Sequence, residues 1–117
     1  MSIRRIRVGP RMSQAVVHGD TVYLAGQVAS QAAGKSVTEH TREILATIDA
    51  LLAETGTDKT RLLSTTIYLA DMATFAEMNA VWETWVAPGA TPARATVEAR
   101  LAAPSYTVEI VCIAAKS

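Results

Sequence analysis

Hydrophobic residues recur at two spacings along this chain, about every second residue near its ends and every three to four residues in its middle. Before residue 29 the shorter spacing predicts a short edge-like strand and a hairpin pair: Ile3–Val8, 15–18 and 21–28. Gly19-Asp20 between the hairpin strands suits a tight turn. Gly26 weakens the third strand, so we expect either a bulge there or another group close to the backbone.

Two amphipathic helices are predicted in the middle of the chain. Ser36 and Glu39 form a capping-box pattern at the start of the first helix, and Gly56 marks its end. Its apolar stripe has helical spacing: Val37, Thr41, Ile44, Leu45, Ile48, Leu51 and Leu52. Asp71 is placed to cap the second helix, which Pro88-Gly89 ends. The second stripe has the same kind of spacing: Phe75, Met78, Val81, Trp82, Trp85 and Val86.

Three more strands are predicted at 63–69, 93–101 and 107–115. Alternation in the strand at 93–101 assigns its inner and outer faces, one apolar and the other carrying Arg94, Thr96, Glu98 and Arg100. The order β-β-β-α-β-α-β-β indicates an α+β fold in which one mixed sheet carries two helices on a single face. The opposite face has no covering element, and further copies of the chain are the simplest material to bury it.

Composition and charge narrow the possible partners. Of 117 residues, 50% are hydrophobic and 19% charged, so we expect one folded domain over residues 1–117. Eleven basic residues balance eleven acidic ones, which argues against nucleic acid as a partner and favours self-association. Cys112 is the single cysteine, and the sequence shows neither a secretory signal nor an apolar stretch of membrane-spanning length. We expect a soluble cytoplasmic protein without a membrane partner.

Most side chains that could carry chemistry have a simpler structural interpretation. His18 and His40 have no Cys, Asp or His partners at metal-ligand spacing, so no metal site is predicted. Cys112 lies in an apolar run and fits core packing better than nucleophilic catalysis. Trp82 and Trp85 fit the core of a helix better than a ligand-stacking site. The sequence contains no phosphate-binding glycine loop, Walker motif or hydrolase elbow.

Three charged residues in the last strands remain: Arg94, Glu98 and Glu109. An ionised side chain in such a β-rich run is costly unless it is paired, hydrogen-bonded or placed at a wet cleft. Structural salt bridges would meet that requirement, and so would a binding site for a charged small molecule. The residues alone favour the structural interpretation and leave the functional one open.

Four sequence blocks follow one another along nearly the whole chain. They are Gly9-Pro10 with 13–17, 23–28, 65–72 with Phe75 and Asn79-Ala80, and 92–97 with 108–110. Their order and spacing resemble those of the RidA/YjgF family of reactive-intermediate deaminases. The resemblance implies a chorismate-mutase-like fold and a homotrimer with three clefts between subunits. It also implies hydrolysis of 2-aminoacrylate, 2-iminopropionate and related enamines or imines to 2-oxo acids and ammonia, without a cofactor.

The same resemblance assigns roles to five positions. Arg94 matches the arginine that binds the substrate carboxylate, and Glu109 matches the acidic residue that activates water as a general base. Gly26 matches a glycine whose backbone lines the cleft, and Thr96 a position that presents backbone and hydroxyl to the ligand. Met12 lies where the best-known subgroup has a substrate-contacting tyrosine, and this departure leaves the choice of substrate open.

Two other classes of function compete with deamination. One is a trimeric binding protein for amino or oxo acids that uses the same cleft without turnover; retention of Glu109 favours catalysis over it. The other is a holdase-like protein that uses exposed apolar surface, an activity that should survive loss of Arg94. Neutral charge and the lack of a histidine acid–base pair argue against RNA cleavage.

Overall fold

Seven strands and two α-helices form the fold in a computed structural model that describes residues 1–116. The strands are β1 Ile3–Val8, β2 Ser13–His18, β3 Thr21–Leu24, β4 Gln27–Val28, β5 Leu62–Leu69, β6 Ala93–Glu98 and β7 Val108–Ala115. The helices are α1 Val37–Glu54 and α2 Phe75–Trp85. Short 3-10 turns precede β5 and α2, at Lys59–Arg61 and Met72–Thr74. The mixed α+β class and its two helices are as predicted.

All seven strands belong to one mixed sheet. Its order is β1-β2-β3-β7-β5-β6, and β4 continues the line of β3 along β7. Neighbouring strands are antiparallel except β5 and β6, which are parallel and connected through α2. A parallel pair requires such a crossover. As a result β6 is an edge strand with α2 beside it, and β7 lies near the centre of the sheet.

The helix ends agree with the sequence at α1 and differ at α2. The Ser36 hydroxyl accepts a hydrogen bond from the Glu39 amide at 3.2 Å, and Gly56 follows the helix with a φ of 83°. Asp71 does not cap α2 as predicted. Its carboxylate instead accepts a hydrogen bond from the Ala73 amide and caps the 3-10 turn that precedes α2. The helix itself begins at Phe75, four residues after Asp71.

The core lies between the two helices and one face of the sheet. The sheet contributes small and branched residues: Ala15, Val17, Val22, Leu24, Ile67, Leu69, Val108, Ile110, Cys112 and Ala114. The helices contribute larger ones: Ile44, Leu45, Ile48, Leu51, Leu52, Met78, Val81 and Trp82. Neither helix in residues 1–116 is long and apolar enough to span a membrane.

The strand expected at 21–28 is divided in two. β3 ends at Leu24 and β4 begins at Gln27, so Ala25 and Gly26 interrupt the ladder. The Ala25 amide is satisfied instead by the carbonyl of Gln14 at 2.9 Å. The close approach expected at Gly26 is present, and the approaching group is the side chain of Glu109 on β7.

β6 turns the polar half of its alternating pattern toward the helices. Arg94 and Thr96 pair with Thr65 and Ile67 of β5, both of which are buried in the core, and cross-strand partners share a face. The apolar half, Ala93, Ala95 and Val97, is exposed on the opposite face. Alternation normally buries the apolar half of a strand, so this orientation reverses the usual inner and outer faces.

We call the side of the sheet without helices the open face. It carries a contiguous set of mostly apolar residues: Val16, Tyr23, Val28, Ser64, Thr66, Tyr68, Ala93, Ala95, Val97, Glu109, Val111 and Ile113. Tyr23 on the inner strand β3 is 47% exposed and Val97 on the edge strand β6 is 42% exposed, large values for hydrophobic side chains. The open face is therefore the uncovered apolar surface that the sequence predicts.

Candidate active site

Arg94 lies near the start of β6, on the helix side of the sheet. Its Nη1 donates a hydrogen bond of 2.7 Å to Oδ1 of Asn79. Its guanidinium carbon lies 5.5 Å from the ring centroid of Trp82 and 5.8 Å from that of Phe75, within the range of cation–π attraction. These three α2 residues are spaced i, i+4 and i+7, so they form one stripe facing β6. The stripe holds the guanidinium without neutralising it.

No carboxylate of residues 1–116 pairs with Arg94, so its guanidinium is available to bind an anion. Burial lowers the pKa of Arg94 from its ordinary value, and the nearby Glu83 carboxylate partly opposes that shift. An arginine nonetheless keeps its proton in a protein. Arg94 forms no ion pair with any residue of the described chain, and Glu98 accepts a hydrogen bond from the Met72 amide instead. Within 1–116, then, the salt-bridge interpretation of Arg94 and Glu98 is wrong.

Thr96 lies two residues further along β6, on the same side as Arg94. Its hydroxyl oxygen is buried and has no hydrogen-bond partner among residues 1–116. A buried hydroxyl without a partner costs roughly 1 to 3 kcal/mol, so such groups are rare unless another molecule satisfies them. Arg94 and Thr96 therefore form a pair of polar groups with unused hydrogen-bonding capacity.

Glu109 is the second residue of β7, and its side chain lies on the open face. A Cβ placed on Gly26 would overlap Glu109 Oε2 and stand 3.0 Å from the carboxyl carbon. Gly26 thus makes room for this carboxylate in a single chain; the expectation was that it makes room for a ligand. The carboxylate accepts no hydrogen bond from the described residues. It lines a cavity of about 290 Å³ whose other walls include Tyr68, Leu101 and Val111.

One chain does not bring Arg94 and Glu109 together. On β5, which separates β6 from β7, Arg94 is in register with Thr65 and Glu109 with Tyr68. These positions are three residues apart, an odd number, so the two side chains point to opposite faces of the sheet. They are also separated by two strand spacings, roughly 10 Å, and by a similar distance along the strands. A cleft that uses both side chains therefore needs more than one chain, as the expected clefts between subunits would provide.

Met12 lies in the loop between β1 and β2 and is 52% exposed. It lines a cavity of about 430 Å³ together with Arg7, Arg11 and Gln14. The Gln14 side chain accepts a hydrogen bond of 2.9 Å from Nε2 of Gln27, the neighbour of Gly26. The loop that carries Met12 is therefore linked to the Glu109 side of the site and not to the Arg94 side.

The histidines and the cysteine have other surroundings. His40 is fully buried, and its ring nitrogens lie 2.6 Å from the Thr107 hydroxyl and 2.6 Å from the Ala32 carbonyl. His18 is exposed at the end of β2. Burial raises the pKa of the Cys112 thiol to about 11, opposed by a contact with the Thr65 hydroxyl. Among residues 1–116, no three His, Cys, Asp or Glu side chains cluster as metal ligands would.

Sequence reasoning gave no role in the site to four residues that the structure places beside Arg94 or Glu109, although it placed Trp82 in the helix core. Asn79 and Trp82 contact Arg94, while Tyr68 and Arg100 line the cavity of Glu109. Asn79 could have been found as a polar residue inside an apolar helical stripe. Tyr68 and Arg100 lack such a signal, because the course of the chain after β6 decides what they face.

Comparison with known proteins identifies the family. A family model described as Endoribonuclease L-PSP matches residues 3–116. A crystal structure of a YjgF-family member from Neisseria meningitidis has a TM-score of 0.97 at 49% identity, covering 100% of this chain and 97% of that one. The RutC family protein YoaB of Escherichia coli strain K12 is 43% identical over 115 residues, 98% of this chain and 99% of the relative.

A mammalian relative has a name that states an activity. The 2-iminobutanoate/2-iminopropanoate deaminase of Mus musculus is 33% identical over 112 residues, which is 92% of this chain and 82% of the mouse protein. The family match and these relatives extend over almost every residue that the structure describes. The chain belongs to the YjgF/RidA family, whose model is described as Endoribonuclease L-PSP.

Proposed function

We propose that this protein hydrolyses reactive enamines and imines of 2-amino acids to 2-oxo acids and ammonia. Arg94 binds the substrate carboxylate and Glu109 activates water. The observation that carries the proposal is the state of Arg94: its guanidinium is held by Asn79 and Trp82 yet is not paired with any carboxylate of residues 1–116. Its planar fork fits a carboxylate through two parallel hydrogen bonds. The mouse relative named as an imine deaminase supports the same chemistry.

The reaction needs positioned groups and little else. An enamine first gains a proton at carbon and becomes the iminium, whose carbon is electrophilic. Water attacks that carbon, and as the C–O bond forms Glu109 accepts a proton from the water. Glu109 returns this proton to the amino group of the tetrahedral intermediate. It then accepts the proton of the remaining hydroxyl as the C–N bond breaks and the carbonyl forms, so that the 2-oxo acid and ammonia are released and the proton passes to solvent. Holding the carboxylate on Arg94 with one water about 3 Å from the carbon supplies the proximity that catalysis requires.

The opposite orientations of Arg94 and Glu109 imply a site shared between chains. We propose a homotrimer in which the β6 edge of one subunit lies against the open face of its neighbour, with one cleft at each interface. Arg94 and Thr96 then come from one subunit, and Glu109, Gly26 and Met12 from the other. The exposed apolar residues of the open face supply the area that such an interface buries. Each cleft would be lined by two chains.

The proposal also covers the domain organisation, location, cofactor use and ligand class of the protein. The chain would act as a single RidA/YjgF-like domain over residues 1–117, in the cytoplasm, without metal or cofactor. RNA cleavage, which the description of the family model names, finds no support in the histidines. His40 is buried with both ring nitrogens engaged, and His18 lies alone at a strand end. A small 2-imino acid is therefore the ligand class that fits the polar groups at hand.

A coupled assay tests the proposal. An amino-acid oxidase generates imines from a panel of amino acids, and loss of the semicarbazone signal or release of ammonia is followed with and without the protein. We expect Arg94→Ala to lose about 2 to 4 kcal/mol of transition-state stabilisation, roughly 30-fold to 1000-fold in rate. Arg94→Lys, which keeps the charge and loses the fork, should fall between the two.

Three results would each contradict part of the proposal. Equal rates for Arg94→Ala and the parent protein would remove Arg94 from the mechanism. Oxo-acid binding that depends on Arg94, with no turnover across the panel, would support the non-catalytic binding protein. Suppression of light scattering by a client protein that survives Arg94→Ala, without imine turnover, would support the holdase. Circular dichroism and oligomeric state, measured for each variant, exclude misfolding as the cause.

A further inference from the structure

The cavity around Glu109 contains a second charged group that the proposed mechanism does not use. Arg100, two residues after the end of β6, lines the same cavity of about 290 Å³ as Glu109 and Tyr68. Its guanidinium makes no hydrogen bond or ion pair with any residue the structure describes, even though Glu109 shares the cavity. The Tyr68 hydroxyl is also without a partner in this part of the chain. Two donor groups are thus unoccupied beside the proposed general base.

The neighbouring acid does not engage Arg100. Glu98 and Arg100 both line an adjoining cavity of about 600 Å³, but the Glu98 carboxylate accepts a hydrogen bond of 2.9 Å from the Met72 amide and forms no ion pair within residues 1–116. Leu101 and Val111 form apolar walls of the Glu109 cavity. Arg100 itself is exposed, so its guanidinium is open to an anion that enters the cavity from solvent.

Counting charges suggests which ligand this arrangement suits. A substrate with one carboxylate is satisfied by Arg94, which reaches the cleft from the helix side of the sheet, whereas Arg100 lies on the Glu109 side. One bidentate arginine is sufficient for one carboxylate. The proposed cleft has a second guanidinium, and the group it fits best is a second carboxylate, on the side chain of the substrate.

We propose that Arg100 is a specificity-determining residue that binds the side-chain carboxylate of 2-imino dicarboxylic acids, with the Tyr68 hydroxyl as an additional donor. The inference rests on the proposed function, because that function assigns the other carboxylate to Arg94. The substrate class is then the imines of acidic amino acids, which reactions that dehydrogenate the Cα–N bond of such amino acids would supply. Glu109 lines the same cavity as Arg100, so it would act on an imine carbon that lies between the two bound carboxylates.

Imines of glutamate and norvaline test this directly, because they differ only in the terminal carboxylate. Both are generated in situ by amino-acid oxidases, and semicarbazone competition gives kcat/KM. We expect the parent protein to prefer the glutamate imine by about tenfold or more, and Arg100→Gln to reduce that ratio to about one. The matched control is Arg61→Gln, which changes an exposed arginine immediately before the first residue of β5. This variant should keep the parent ratio.

Each outcome decides one of the two proposals. A preference that persists in Arg100→Gln overturns the inference, and so does an equal loss on both imines, which would mean that Arg100 only balances the charge of Glu109. If the parent protein hydrolyses neither imine but turns over other imines of the panel, the inference is overturned and the deaminase proposal stands. If it turns over no imine of the panel, the deaminase proposal fails and binding decides the inference separately. Calorimetry should then show tighter binding of 2-oxoglutarate than of 2-oxopentanoate, with the difference lost in Arg100→Gln; equal affinities in the parent protein overturn it.

Discussion

The two charged halves of the candidate site are built in opposite ways. Arg94 is held by contacts, through the amide of Asn79 and the rings of Trp82 and Phe75. Glu109 is accommodated by the lack of a side chain, because Gly26 leaves the space that its carboxylate occupies. No residue of the described chain donates a hydrogen bond to that carboxylate. The arginine half is fixed in advance, whereas the glutamate half has no hydrogen-bond donors of its own.

This difference matches the two proposed roles. A binding guanidinium gains from being held in place, because less conformational entropy is lost when the ligand arrives. A general base gains from the opposite arrangement, since hydrogen-bond donors on the carboxylate oxygens would compete with the water from which it takes a proton. The contacts that hold Arg94 therefore suit an anion-binding group, and the lack of hydrogen-bond donors at Glu109 suits a general base.

The largest expected effect comes from mixing the two halves between subunits. Arg94→Ala and Glu109→Gln should each lose most activity alone, Glu109→Gln by about 100-fold or more, as for loss of a general base. After the two variants are unfolded, mixed in equal amounts and refolded together, about one quarter of the clefts combine an intact Arg94 with an intact Glu109 from different chains. Turnover should recover to about one quarter of the parent value.

The recovery would disappear if each chain carried a complete site. In that case no mixed assembly contains an intact pair, and turnover stays at the level of the single variants. Mixing either variant with a double Arg94→Ala/Glu109→Gln chain is the control, since it supplies no complementary half. Recovery in this control as well would contradict a site shared between chains.

The helical half of the fold was predicted better than the strand that carries Arg94. Ser36 caps α1 and its apolar stripe is buried, because helix periodicity and capping are local properties of the sequence. The faces of β6 were not predictable in this way. As an edge strand beside α2 it hides Arg94 and Thr96 and exposes Ala95 and Val97, an arrangement set by the long-range packing of α2 against β6 and not by the local sequence pattern.

Site residues show the same limit. The resemblance to the family identified Arg94, Glu109 and Gly26, and the structure brings Glu109 and Gly26 together. The resemblance could not show that Arg94 lies on the opposite face of the sheet from Glu109. That difference follows from a three-residue offset between their register partners on β5. Long-range register is set by the packing of the whole sheet, so a local sequence pattern does not reveal it.

Gly26→Ala should have the next largest effect, and only on the glutamate half. The new methyl group would overlap Glu109 Oε2, so the carboxylate must move by an ångström or so. We expect kcat to fall by about tenfold to 100-fold, the usual result of displacing a catalytic group by that much. Gly34→Ala is the control: nothing lies within 4 Å of its added Cβ, so kcat should be unchanged, although its φ of 78° makes the substitution strained and should lower the free energy of unfolding. A further loss in Gly26→Ala/Glu109→Gln beyond Glu109→Gln alone would mean that Gly26 acts through something other than Glu109.

Thr96→Val should affect the arginine half more weakly and change binding more than folding. The substitution keeps the shape and removes a buried hydroxyl without a partner, so the free energy of unfolding should stay level or rise by about 1 kcal/mol. If the hydroxyl meets the substrate, KM rises by about threefold to tenfold. Thr65→Val is the matched control, since that hydroxyl contacts Cys112 Sγ at 3.4 Å. Lower stability of Thr96→Val with an unchanged KM would show that the hydroxyl serves only the fold.

Cys112 gives the smallest expected effect on turnover and reports whether the helix side of the sheet stays closed. It shares a row with Thr65 and Arg94 but is fully buried, and burial raises the pKa of its thiol from 9.0 to about 11. At pH 8 the folded protein should react with iodoacetamide about 100-fold more slowly than the unfolded chain, because only the thiolate reacts. The raised pKa also makes the free energy of unfolding depend on pH. The contribution of the thiol is fully present below pH 9 and is lost as the pH rises toward 11, because the unfolded chain releases the thiol proton at a lower pH than the folded protein does. Rapid labelling at pH 8 with activity retained would show that the row behind Arg94 opens to solvent, and the rigid support assigned to the arginine half would then be wrong.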